Sequence, residues 1–255
     1  MKKLFLSWQD PFDRRWIPIG CLELKGNIYR FYYTKGATQS DSFMPFGRMK
    51  DIYDIYESED LFPLFANRLL SSSRPDYKRF IKWLNLQEKD VNPFMILSLT
   101  GGIRRTDSIE LFPCPEPTPE GYYLVKFFSH GLSHFPEQTK KRIEELNPGD
   151  KLFLMADLQN PKDSVALTLR TDEPYSMVGY CPRYFANDFN LLLKYCGADS
   201  VHTSVVQYNP DAPLQLKLLC KLYTKWPNNF KPCSSDLFMP LNDKAGENDS
   251  CRLNA

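Results

Sequence analysis

Between residues 109 and 128 the chain reads "IELFPCPEPTPEGYYLVKFF", two strand-like runs separated by Pro113, Pro115, Pro117 and Pro119. Proline has no backbone N–H to give to a sheet ladder, and prolines at alternate positions favour an extended connector. A domain boundary is therefore placed near this segment. A length of 255 residues allows one large domain or two small ones. Two modules are expected, residues 1–106 and 107–228, followed by an extended or disordered tail over 229–255. The end of that tail, "LNDKAGENDSCRLNA", is polar and lacks aromatic residues.

The first module opens as a β-meander. "LFLSWQD" is followed by "RRWIPIGCLELKGNIYRFYYTKG", in which Lys25-Gly26-Asn27 separates two runs rich in Ile, Leu, Tyr and Phe, a hairpin signal. The stretch "ATQSDSFMPFGRMKDIYDIYESED" is polar and turn-rich and reads mostly as loop. Three helical patterns follow. Leu61, Leu64, Phe65 and Leu69 fall at helical spacing behind Ser58, Glu59 and Asp60, with Pro63 in the first turn. Tyr77, Phe80, Ile81 and Leu84 repeat the pattern behind Asp76, and "NPFMILSLTGG" is a short helix stopped by Gly101-Gly102.

The second module alternates short strands with two helices. Strands are expected near 151–158, 164–170, 175–181, 201–208 and 214–224, and helices over "PEQTKKRIEELNPGD" and near 182–195. This is the pattern of a small barrel with helical plugs. The fold class is α+β.

Charge narrows the function. The chain carries 32 Lys and Arg against 31 Asp and Glu, a net charge of +1. A protein that grips long nucleic acid through many phosphates usually shows a basic excess, so any nucleic-acid site is expected to be small. The seven cysteines include no Cys-x-x-Cys pair, which argues against a disulfide framework or a zinc ribbon and for a reducing cytoplasm. No run reaches the roughly 18 apolar residues of a membrane span, and the apolar start is broken by Trp8-Gln9-Asp10 before a signal-peptide core could form. There is no phosphate-binding loop, no His-Glu-x-x-His and no triad context. No enzyme, no metal and no cofactor is expected.

The residues then match a pattern. "SHGLSHF", "LNPGDKLFLMADLQNPKDSVALTLR" and "SMVGYCPRYFANDFNLLL" resemble the HIRAN domain, over about 100 residues. That family stands alone in bacterial proteins or is fused to replication-fork remodelling ATPases. It resembles an oligonucleotide-binding barrel, and it captures the 3′ hydroxyl end of single-stranded DNA. The resemblance implies a HIRAN-type barrel with two helices, a DNA partner, and a nucleic-acid site at Ser133, His134, Phe135, Asn160, Lys162, Asp163, Tyr180 and Arg183. This chain departs from the pattern in three places, one of them Val165, on which a family asparagine falls. The family's Arg-Tyr-Tyr falls on Ser133-His134-Phe135, and a family tyrosine falls on Lys162. On turn chemistry alone, Asn160 and Asp163 serve a turn as well as a ligand. Gly179 reads as relief for a bulge or a close approach. Arg183, a cation at a helix start, needs a reason beyond the helix. Residues 20–36, 61–70 and 93–102 are similar to the N-terminal subdomain of HipA-type toxin kinases, which implies a protein contact. The expected function is non-enzymatic binding of single-stranded DNA 3′ ends. The alternative is a regulatory subunit for a kinase-like toxin or a DNA-processing enzyme, with a degenerate pocket.

Overall fold

The computed structural model describes residues 3–246 and divides the chain into two units, each assembled from separated segments. Over the described residues, unit 1 comprises 3–71, 92–114 and 231–246, and unit 2 comprises 72–91 and 115–230.

Unit 1 is built on the expected meander. Strands β1 (Lys3–Gln9), β2 (Trp16–Lys25), β3 (Ile28–Tyr33) and β4 (Ile55–Ser58) pair in sequence, and β5 (Ile109–Pro113) adds antiparallel to β1, giving the order β4-β3-β2-β1-β5. The β2–β3 turn closes at Lys25 opposite Ile28, with Gly26 at a φ of 60° where a side chain would be strained. Strand β4 lies inside the segment that reads mostly as loop. Its four residues are too few to show a period. Leu4, Leu6, Ile19, Leu22, Phe31 and Tyr33 form the buried face, which is covered by Phe65, Phe94 and Leu97.

The first helical pattern yields only one turn, α1 (Pro63–Ala66). Arg68 explains the stop. Its Nε donates to the Leu64 carbonyl at 3.1 Å, an acceptor that the helix ladder would use, and its other nitrogens reach the Gly102 carbonyl at 2.8 Å and Asp107 at 2.7 Å. Helix α3 (Pro93–Thr100) follows its sequence signals closely. The Asn92 side chain accepts from Met95 N at 3.0 Å, and Gly101 ends the helix at a φ of 67°.

The expected tail is corrected over its described part, while residues 247–255 lie outside the described residues. Residues 231–246 return to unit 1. Lys35 N donates to the Met239 carbonyl, Leu241 N donates to the Tyr33 carbonyl, and the Phe238 ring meets Phe5 edge-on at 4.7 Å. A few spaced apolar residues do this, too few to lift a polar segment above the composition of a tail.

Unit 2 holds a curled six-stranded antiparallel sheet. Strands β6 (Tyr122–Phe128), β7 (Lys151–Ala156), β8 (Leu167–Thr171), β9 (Met177–Tyr180), β10 (His202–Tyr208) and β11 (Leu218–Lys225) take the order β6-β11-β10-β7-β8-β9. The sheet is a half-barrel whose two edges meet at one rung. His130 N donates to the Tyr180 carbonyl and Tyr180 N to the His130 carbonyl, each at 2.9 Å. Helix α5 (Arg183–Cys196) fills the curl with Phe185, Phe189 and Leu192, spaced to share one helix face. Helix α4 (Glu137–Glu144) packs against β9, burying Thr139 and Ile143. Helix α2 (Tyr77–Trp83), read with the first module from sequence, belongs to unit 2. Its last carbonyls accept from side chains at the end of β10, Lys82 O from Gln207 and Trp83 O from Asn209, each at 3.0 Å. Among the described residues a sixth α-helix, α6 (Asp243–Gly246), follows in unit 1.

Candidate nucleic-acid interface

The rung that closes the half-barrel also assembles the site. Between β6 and β9 the backbones come so close that a Cβ on Gly179 would lie 1.9 Å from Ser129 Oγ and 2.8 Å from the His130 carbonyl oxygen. Gly179 also has a φ of 111°. Glycine is required there on both grounds. The approach is what places Tyr180, the last residue of β9, beside the turn that follows His130. Gly131 starts that turn at a φ of 73°, and a Cβ on it would press on the Tyr180 ring at 3.2 Å.

Phe135 ends the turn and sets its ring 5.7 Å from that of Tyr180, tilted by 49°. The Tyr180 hydroxyl donates to Asp157 Oδ2 at 2.9 Å. This bond to a carboxylate is the main reason the Tyr180 pKa lies above the usual phenol value. Asn160 Nδ2 donates to the same Asp157 oxygen at 3.0 Å. Asn160 Oδ1 accepts from the backbone N–H of Lys162 at 3.0 Å and of Asp163 at 3.1 Å. The side chain therefore organises the turn, as its chemistry allows. Asp163 Oδ1 accepts from Val165 N at 3.2 Å, and its other oxygen lies 4.0 Å from Arg183 Nε.

Five of the eight expected residues, Phe135, Asn160, Asp163, Tyr180 and Arg183, are thus linked in one chain of contacts along a single rim of unit 2. The other three stand apart from it. Ser133, His134 and Lys162 are exposed, and their side chains make no hydrogen bond or ion pair among the described residues. Asp157 was missed. The only signal for it is a carboxylate three residues ahead of Asn160, a spacing common in turns of any kind. The half-buried His130 was also passed over. Loss of hydration, aided by the Arg183 charge, lowers its pKa to about 4, so the ring is neutral at pH 7.

The arrangement offers two aromatic rings, two carboxylates with hydrogen-bonding oxygens, and one exposed guanidinium. Its rings can stack on bases, its carboxylates can accept from hydroxyl groups, and its cation can hold a phosphate.

Residues 122–227 match the model of the HIRAN domain. No curated protein matches the chain. A crystal structure of a protein from Lactobacillus plantarum is similar at 16% identity, over 41% of this chain and 97% of that one, with a TM-score of 0.32. That likeness is too slight to carry an argument about function.

Proposed function

We propose that this chain is a non-enzymatic cytoplasmic protein whose HIRAN-type unit holds the free 3′ end of single-stranded DNA at the rim joining Phe135, Tyr180, Asp157, Asn160, Asp163 and Arg183. The observation that carries the reading is the convergence of the Phe135–Tyr180 ring pair with two carboxylates and an exposed arginine on one barrel edge. The 3′ hydroxyl of a terminal deoxyribose can donate to a carboxylate, whereas a 3′ phosphate would bring negative charge against Asp157 and Asp163.

Short single-stranded oligonucleotides ending in a 3′ hydroxyl or a 3′ phosphate test the reading. Binding of the hydroxyl form with rejection of the phosphate form is expected. Arg183→Ala should weaken that binding, and Phe135→Ala should cost about 1 to 3 kcal/mol if a base stacks there. Equal and negligible binding of both ends would sink it. That result would favour a second reading, a regulatory subunit that docks a kinase-like or DNA-processing partner through unit 1. The surface cleft of unit 1 among Phe46, Met49, Tyr56, Leu61 and Phe62 supports that reading, as does the similarity of its sequence to the HipA N-terminal subdomain.

A further inference from the structure

The six strands of unit 2 contain Lys126, Lys151, Arg170, Lys221 and Lys225, and not one Asp or Glu. The near-neutral balance of the chain hides this, because the carboxylates of the unit lie on its helices and turns. Successive residues of a strand point to opposite faces. With Val125, Phe127, Leu152, Leu169, Cys220 and Leu222 buried inside the curl, all five cations lie on the outward face.

The register sets three of them in a row. Lys126 on β6 lies opposite Lys221 on β11, Lys221 lies opposite Ser204 on β10, and Ser204 lies opposite Lys151 on β7. Strands are spaced by about 4.8 Å, so the row crosses about 15 Å of sheet. Like charges directly opposite destabilise a sheet, yet none of the five cations is ion-paired among the described residues. Lys126 donates to Asn85 Oδ1 at 3.2 Å and Arg170 to the Thr171 carbonyl at 3.1 Å, but the exposed side chains of Lys151, Lys221 and Lys225 make no hydrogen bond or ion pair among the described residues, and a polyanion lying on the face would answer their charge.

Aromatic rings flank the cations. Tyr122 and Tyr223 stack at 4.6 Å and 17°, leaving Tyr223 36% exposed. Phe153 lies under both Lys151 at 4.6 Å and Arg170 at 4.4 Å, and Arg170 also covers the exposed Tyr175 at 4.6 Å. Cations alone would suit any polyanion. Cations interleaved with exposed flat rings suit a chain that carries both phosphates and bases.

We infer that the outward face of the six-stranded sheet is a second binding surface, which takes the body of a single-stranded polynucleotide independently of the rim that holds an end. The test uses a long oligothymidylate blocked by a 3′ phosphate, so that end capture contributes nothing, and a uridylate of equal length to report the sugar. Wild-type protein should bind at least one of them, with an affinity that falls as salt rises. The double variant Lys151→Glu/Lys221→Glu should weaken that binding at least tenfold and reduce the salt slope by about 1.4, two lost contacts at about 0.7 each. Tyr223→Ala should weaken it about 5- to 150-fold, the range for one stacked base. Lys221→Glu faces Lys126 and turns a repulsive pair into an attractive one, so its thermal stability should be unchanged or higher, which separates lost binding from lost folding. Capture of a short 3′ hydroxyl oligonucleotide should not change in the double variant, so each site can fail without the other. The inference is overturned if the blocked chains do not bind, if the double variant binds them as wild type does, or if poly-aspartate binds equally well.

Discussion

A cation in the first turn of a helix works against the helix dipole, and Arg183 occupies that position in α5. Asp163, 4.0 Å away, answers part of the cost, while nearly half of the arginine side chain remains exposed. The same charge bears on His130, whose ring also lies edge-on to Tyr184 at 6.4 Å. A folded-state pKa near 4, below the usual 6.5 of an unfolded histidine, means that the unfolded chain takes up the proton first as pH falls. His130 therefore costs no stability above pH 6.5 and removes stability progressively between about 6.5 and 4. Carboxylates titrate nearby, so the check is a comparison. His130→Asn should flatten the fall in melting temperature over that window, and an unchanged pH profile would count against a neutral ring. At this scale Asn160, Asp163, Tyr180 and Arg183 were legible because each sits in a motif with fixed offsets. Asp157 was not, because its part depends on the approach of β9, which no local pattern encodes.

Elements with strong local signals appear where those signals place them. Helix α3 has its Asn cap and Gly stop, and α5 has Phe185, Phe189 and Leu192 on one face. Elements ended or recruited by distant groups were less legible. Helix α1 stops at one turn because Arg68 takes a ladder carbonyl, and α2 joins the barrel through Asn209 and Gln207. Asn209 is buried, and its Nδ2 also donates to the Leu216 carbonyl at 2.7 Å. Asn209→Ala leaves two carbonyl groups without this donor and should destabilise unit 2 by about 1 to 3 kcal/mol in denaturant unfolding. An effect below about 0.5 kcal/mol would mean that water replaces the amide at no cost.

At the scale of the molecule the chain crosses between its units more than once, since residues 72–91 belong with 115–230, and 231–246 return to the first sheet. Truncation after residue 230 should therefore destabilise unit 1 rather than unit 2. Loss of the Phe238 contacts with Phe5 and Phe112, and of the backbone bonds to Tyr33 and Lys35, predicts at least about 2 kcal/mol. Amide hydrogen exchange locates the effect. Faster exchange in β1 to β3 with β6 to β11 unchanged is expected, and uniform protection in both units would show that the segment contributes nothing. Among the described residues no helix is long and apolar enough to cross a membrane.

The meander, the barrel strands and the motif residues of the rim follow from local patterns, because hairpin turns, helix caps and period-two burial are written within a few residues of where they act. Tertiary structure alone decided which strands became edges and closed at His130 and Tyr180. It also decided which segments crossed from one unit to the other, and how an almost neutral chain set four lysines and an arginine on one face of a sheet. Those outcomes depend on register and on contacts between residues far apart in the chain. Composition averages such contacts away, and local periodicity does not report them.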